Sequence, residues 1–298
     1  MFLGLGLIWG SSFLWIKVAL AGDGHDGFAP LLLVTCRVLF GLAGLAVLML
    51  ARGMRPPSDR ATLRSCAVIG LTNTAVPFAL ITWGETRIPS GVASILNGTV
   101  PLFTIVIAHF TLHDESITPT RAAGMVAGFA GVVTLVSRGL GDGAGSLLGQ
   151  AAVVGAAVSY AWSATYTRRF LRGLSPIVQA FTTLAFASCL LVPAVLVLEQ
   201  PVAWPSRPLA WLAVAWLGLL GSCAAYVLSF SLIAAWGATR ASMVTYVFPV
   251  VGLLLGIGVL GERTDWRLFA GTAMVVAGIL IVNARTIAAA LPRRGGTP

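Results

Sequence analysis

Lys17 and Arg37 each stand inside a long apolar stretch of the chain. A charge at the centre of a membrane helix costs roughly 2.5–3.5 kcal/mol on insertion scales, so each needs a reason to be there. Lys17 is close enough to the end of its stretch to reach the interface along its own aliphatic stem. Arg37 lies about 10 Å into its stretch at ~1.5 Å per residue, and reads as a charge facing a cavity. The groups around them are of kinds that bind rather than react. Trp9, Phe78, Trp162, Tyr226 and Tyr246 lie away from the segment ends and could wall such a cavity by stacking and cation–π contact, or equally pack helix on helix. Ser12, Ser94 and Ser242 could hydrogen-bond a ligand or sit at helix contacts. Pro77, Pro101 and Pro249 each remove one backbone hydrogen bond and free the carbonyl four residues earlier, those of Asn73, Asn97 and Thr245. A freed carbonyl is tolerable beside other helices or a water-filled cavity and costly against lipid. These six residues are therefore placed toward a pathway, with the prolines as candidate hinges.

Groups that make and break bonds are missing. The sequence holds no HExxH and no nucleophile elbow, so no catalytic residue is expected. Cys36, Cys66, Cys189 and Cys223 all fall in apolar segments without CxxC spacing, which argues against disulfides and zinc alike. The stretch Gly139–Gly145 is glycine-rich, but no strand precedes it and no GK[ST] follows, so it reads as a linker. No metal and no cofactor are expected. All ten acidic residues fall in loops or at segment ends, Glu85 closest to a span, which leaves no obvious carrier for a coupling ion. His109, near a segment end, reads as interfacial sooner than as a proton relay.

The elements that must position these residues follow from composition. Of 298 residues, 57% are hydrophobic and 10% charged, against roughly 25% charged in soluble domains. Lipid is thus the solvent of most of the surface. The net charge of +9 is scattered among loops, with no basic stripe for nucleic acid. Runs of about 20 apolar residues, the length that crosses roughly 30 Å of hydrocarbon, fall near 2–20, 29–51, 61–83, 90–112, 119–137, 146–168, 176–198, 208–233, 238–260 and 266–284. The expected fold is therefore an all-α integral membrane protein with ten transmembrane helices. Arg52, Arg55, Arg60, Arg64, Arg121, Arg168, Arg169, Arg172, Arg240, Arg285, Arg293 and Arg294 then share one side, and Arg87, Arg138, Arg207, Arg263 and Arg267 the other. By the positive-inside rule both termini are cytoplasmic.

The two halves resemble each other. Glu115, Gly124 and Gly131 recur at the same spacing as Glu262, Gly271 and Gly278, and Ala93-Ser94 precedes Pro101 as Ala241-Ser242 precedes Pro249. Trp9 to Lys17 (WGSSFLWIK) parallels Tyr160 to Arg168 (YAWSATYTR). The chain divides into a five-helix repeat at 1–138, a linker at 139–145, a second repeat at 146–284 and a basic cytoplasmic tail at 285–298. With an odd number of helices per copy the second must enter from the opposite side, so the repeats are inverted. That is how many secondary transporters obtain two near-equivalent conformations around a midplane site.

With WGSSFLWIK, the stretch from Pro30 to Arg37, and the paired Pro, Glu, Gly, Gly endings (Pro101 to Gly131, Pro249 to Gly278), the chain resembles the EamA-type branch of the drug/metabolite transporter superfamily. Within that branch it is similar to bacterial aromatic amino-acid exporters. The resemblance implies a multi-pass carrier of the bacterial inner membrane that exports amino acids or related small metabolites through a central cavity between the repeats. Lipophilic drugs, cations or nucleobase-like metabolites are the alternative cargo. The expected partners are a small molecule and the lipid bilayer, with no nucleic acid; the oligomeric state is left open, a monomer being sufficient. Arg37 has no counterpart in the second copy of the pattern, so any role it carries belongs to one half.

Overall fold

The computed structural model describes residues 1–21, 26–111, 117–139, 144–171, 173–236 and 241–282, without the side chains of Arg138, Ser242 and Met243. Glu115, most of the Gly-rich linker and the basic tail lie outside the described residues. Among the described residues every regular element is a helix. Eight helices are long and apolar enough to cross a membrane. They are α1 (Phe2–Leu20), α2 (Pro30–Ala51), α3 (Arg60–Glu85), α4 (Ser90–Thr111), α5 (Pro119–Ser137), α6 (Ala144–Phe170), α7 (Pro176–Leu198) and α8 (Pro208–Trp236). Two shorter apolar helices follow, α9 (Val247–Gly258), entered through a 3₁₀ turn at Ser242–Tyr246, and α10 (Trp266–Val282).

Local chemistry sets the helix starts. Proline opens α2, α5, α7 and α8, at the first turn, where its missing N–H takes no bond from the helix. Asp59 caps α3, its carboxylate accepting the Thr62 amide at 2.8 Å, and this bond holds the exposed Asp59 carboxyl below the usual carboxylate range. Two other starts are capped from a distance. The Glu199 carboxylate at the end of α7 accepts the Leu31 and Leu32 amides of α2, both at 2.8 Å. Glu262, just before α10, accepts the Ser90 and Gly91 amides of α4 at 2.6 and 3.0 Å. A carboxylate on the unpaired amides of a first turn is where the helix dipole favours it.

Helix α4 is the most deeply buried of the long helices, whereas α5 is largely exposed and pairs with α10 at the edge of the bundle. Small residues let these two approach backbone to backbone. A Cβ built on Gly124 would stand 2.6 Å from the Gly278 carbonyl oxygen, and one on Gly131 would stand 2.8 Å from that of Gly271. Large apolar side chains such as Val47, Leu50, Val126, Val133, Leu198 and Leu254 face outward, a surface that suits lipid.

Three helices depart from α geometry close to the prolines singled out above. In α3 a π-helical stretch, Gly70–Ala75, runs up to Pro77. Helix α4 is interrupted at Gly98-Thr99, between Ser90–Asn97 and Val100–Thr111, just ahead of Pro101. The 3₁₀ turn ahead of α9 ends three residues before Pro249. A second π-helical stretch, Trp216–Ala224, lies in α8 without a proline.

Candidate functional site

The irregular stretches converge on one cavity. Its wall is built by α1, α2, α3, α4, α6, α8 and α9 together with the 3₁₀ turn. Trp9, Ser12, Arg37, Asn73, Phe78, Asn97, Tyr226 and Thr245 all line it. Ser94 does not: it is fully buried, donates to the Gly91 carbonyl at 2.8 Å and packs directly on Gly252, a contact between α4 and α9. Trp162 lies away from the cavity, exposed on α6 and stacked on Tyr166 with ring centroids 5.0 Å apart. Tyr246 packs half-buried against the core, and the side chain of Ser242 lies outside the described residues. Pro77, Pro101 and Pro249 are buried behind the lining.

The aromatic that α6 does contribute is Tyr160. The internal repeat carries the signal for it, because Tyr160 is the counterpart of Trp9 when WGSSFLWIK is set against YAWSATYTR. Trp162 falls opposite Ser11 in that alignment, and two residues along a helix turn a side chain by about 200°, on to the opposite face.

The carbonyls loosened by the π stretches are taken up by aromatic donors. The Tyr226 hydroxyl donates to the Asn73 carbonyl at 2.9 Å, the one Pro77 frees. The same oxygen lies 2.8 Å from Thr74 Oγ1 and 3.4 Å from Asn73 Nδ2, so it accepts while it donates. Trp9 Nε1 donates to the Gly221 carbonyl in the other π stretch at 2.9 Å, and Ser159 donates to the Thr72 carbonyl at 2.6 Å. Each bond ties one half of the chain to the other. Edge-to-face contacts of Trp9 with Tyr226 and Phe248, and of Phe78 with Tyr226, continue the aromatic wall.

Arg37 is buried, 5% exposed. Its Nε donates to Ser222 Oγ at 3.1 Å, and its guanidinium carbon lies 3.8 Å from the centroid of the Phe78 ring. Cation–π contact and one hydrogen bond thus hold the head group in place. No Asp or Glu lines the cavity among the described residues.

Glu85 differs from the expectation for a helix-end acid. It ends α3 yet is fully buried, and neither carboxylate oxygen has a hydrogen-bond partner. Lys17 is half-buried and donates to the main-chain carbonyl of Glu85, so its ammonium is held inside the bundle instead of reaching outward. His109 is exposed at the end of α4 and takes no part in the cavity lining.

The two ends of the bundle are unlike. Where α1 finishes and α2 begins, Glu199 and Glu262 bridge separate helices, Lys17 meets the α3 end, Ser206 donates to Asp26 at 2.9 Å, and Arg207 donates to the Ala21 carbonyl. That end is sealed. The cavity lining reaches from Ile16 of α1 and Ile81 of α3, near that end, to Thr167 near the end of α6, Ile233 near the end of α8, and Ala241 and Val244 where the chain turns into α9.

Residues 1–137 and 147–284 match the EamA-like transporter family. The chain is 30% identical over 280 residues to a protein of Escherichia coli strain K12 named "Uncharacterized inner membrane transporter YedA", with 94% of this chain and 88% of that protein covered. It is 27% identical over 286 residues to a "Probable terminal-alkyne amino-acid exporter" of Streptantibioticus cattleyicolor, covering 94% and 91%. A solved crystal structure aligns over 94% of this chain and 98% of its own at a TM-score of 0.67 and 23% identity, a likeness of fold.

Proposed function

The chain belongs to the EamA-like transporter family, and from that premise we propose that it exports amino acids, apolar and aromatic ones included, across a bacterial inner membrane by alternating access. It is a multi-pass membrane transporter and not an enzyme. The single observation that carries the cargo is the aromatic-walled cavity holding a buried guanidinium with no acidic residue in its lining among the described residues. The likeness to a protein named as an amino-acid exporter supports the same class. Lipophilic cations are disfavoured as cargo, since a cavity with a fixed positive charge and no carboxylate among its described lining residues repels them.

In this reading the chain crosses the membrane ten times, in two inverted five-helix copies. The seam between α5 and α10 supports the duplication. Exchanging each glycine for its repeat counterpart turns the contact of Gly124 with Gly278 into that of Gly271 with Gly131, the relation a two-fold axis would produce. With both termini cytoplasmic, the bridged end is the outer one, and in this reading the cavity loads from the cytoplasm, as an exporter requires. Alternating access then requires the outer bridges to part and the broken regions ahead of Pro101 and Pro249 to bend.

Counterflow in proteoliposomes with a panel of labelled amino acids tests the proposal. Saturable exchange of apolar and aromatic amino acids is expected. Absence of exchange across the panel, together with robust drug efflux, would overturn the assignment.

A further inference from the structure

We propose that the cavity recognises its cargo by the carboxylate alone, so that the transported class is organic monocarboxylates with a bulky apolar body, and the amino group of an amino acid is dispensable. The inference rests on the cavity being the transport pathway.

The argument starts from the fork of Arg37. A guanidinium presents five N–H donors, and two terminal nitrogens can take a carboxylate in a bidentate pair. Here Nε is committed to Ser222 and one face of the plane to Phe78. The terminal nitrogens make no hydrogen bond among the described residues, and the residue lines the cavity. The polar groups that line the cavity with it include Ser12, Asn73, Tyr160 and Tyr226, all uncharged. The carboxylate that acts on Arg37 electrostatically, Glu85, is buried outside the lining. A ligand carboxylate is therefore the group that would complete the shell of a buried cation, and among the described lining residues no acid competes for it.

The opposite charge finds no such host. An ammonium bound here would have to lean on aromatic faces and on neutral acceptors, of which the buried and unpartnered Asn97 Oδ1 is the clearest. An amide oxygen accepts from an ammonium and from a neutral N–H alike, so it gives little reason to demand a charged amine. The body of the ligand meets Trp9, Phe13, Phe230 and Phe248, a wall that favours apolar bulk without reading polar detail.

The test uses the wild-type protein in proteoliposomes loaded with labelled phenylalanine, with efflux stimulated from the other side by unlabelled compounds. Phenylalanine, phenylpyruvate and N-acetylphenylalanine are expected to stimulate efflux comparably. Phenylalanine methyl ester and phenethylamine, which lack the carboxylate, are expected to act at least about tenfold more weakly, the factor that about 1.4 kcal/mol corresponds to. If the ester and the amine stimulate as well as the acids, recognition through Arg37 is wrong while amino-acid export stands. If phenylalanine acts and the two acids without a free ammonium do not, the amino group is read and the proposed class is overturned. If none of the five is exchanged, the export reading falls and this class falls with it. Arg37→Gln supplies an independent arm, with size-exclusion behaviour and tryptophan fluorescence reporting the fold. Loss of the preference for acids in folded protein supports the proposal, and retention of the wild-type order among the compounds overturns it.

Discussion

Gly278→Ala tests whether α5 and α10 meet as closely as the coordinates place them. The added Cβ would stand 2.5 Å from the Gly124 carbonyl oxygen and closer still to the Gly128 amide nitrogen. Both neighbours are backbone, so no side chain can rotate out of the way. Restoring ordinary contact requires the helices to part locally by about 1 Å, which forfeits much of the dispersion energy along the seam. Overpacking of this kind costs about 1–3 kcal/mol in well-packed interiors, and backbone on both sides places Gly278 at the upper end. For a chain of this size that is roughly 3–5 °C in unfolding midpoint. Thermal unfolding of the purified protein in one detergent is the assay. Gly4→Ala is the control, because a Cβ there meets nothing within 4 Å. Equal midpoints for Gly278→Ala, Gly4→Ala and wild type would refute the close seam and the two-fold argument built on it.

Other outcomes follow from the same geometry. Pro101→Ala and Pro249→Ala should each slow exchange several-fold while the protein stays monodisperse, and unchanged flux in both would refute the hinge role. Tyr226→Phe leaves the Asn73 carbonyl and the Thr74 hydroxyl without their partner. We expect a loss of about 1–2 kcal/mol in denaturant titrations, between the average for membrane hydrogen bonds and that for orphaned buried groups. A loss no larger than that of Trp162→Phe, on the exposed face, would show that the bond contributes nothing. Glu262→Ala removes the acceptor of the Ser90 and Gly91 amides. With the native cysteines replaced, a membrane-impermeant thiol reagent added from outside should then label Ile81→Cys faster than in the parent, and equal rates would mean that Glu262 does not hold that end shut.

Eight membrane-spanning helices were legible in the sequence because apolar length is a property of the chain itself. Arg37 and the carbonyl at Asn73 were legible for a related reason, since a charge in an apolar run and a proline in a helix each create a deficit that the fold must answer. What escaped depends on neighbours. Nothing local marks Trp216–Ala224 as π-helical. Glu85 reads as a loop-end acid until Lys17 and the packed helix ends close over it. Trp162 was placed in the pathway by residue type, whereas helix rotation gives that position to Tyr160, and Ser94 by a repeat that serves packing on Gly252.

A guanidinium in a cavity wall that has no acidic residue among its described lining also has an electrical meaning. In the proposed carrier the vacant form would hold a positive charge that a bound organic monocarboxylate cancels, so for that cargo vacant and occupied forms would differ by one elementary charge, whereas a zwitterionic amino acid would leave the net charge unchanged. A membrane potential acts on that difference with about 2.3 kcal/mol per 100 mV for a charge crossing the full field. Any part of the field that Arg37 traverses between the two conformations would make the return of the vacant form the voltage-sensitive half of the cycle.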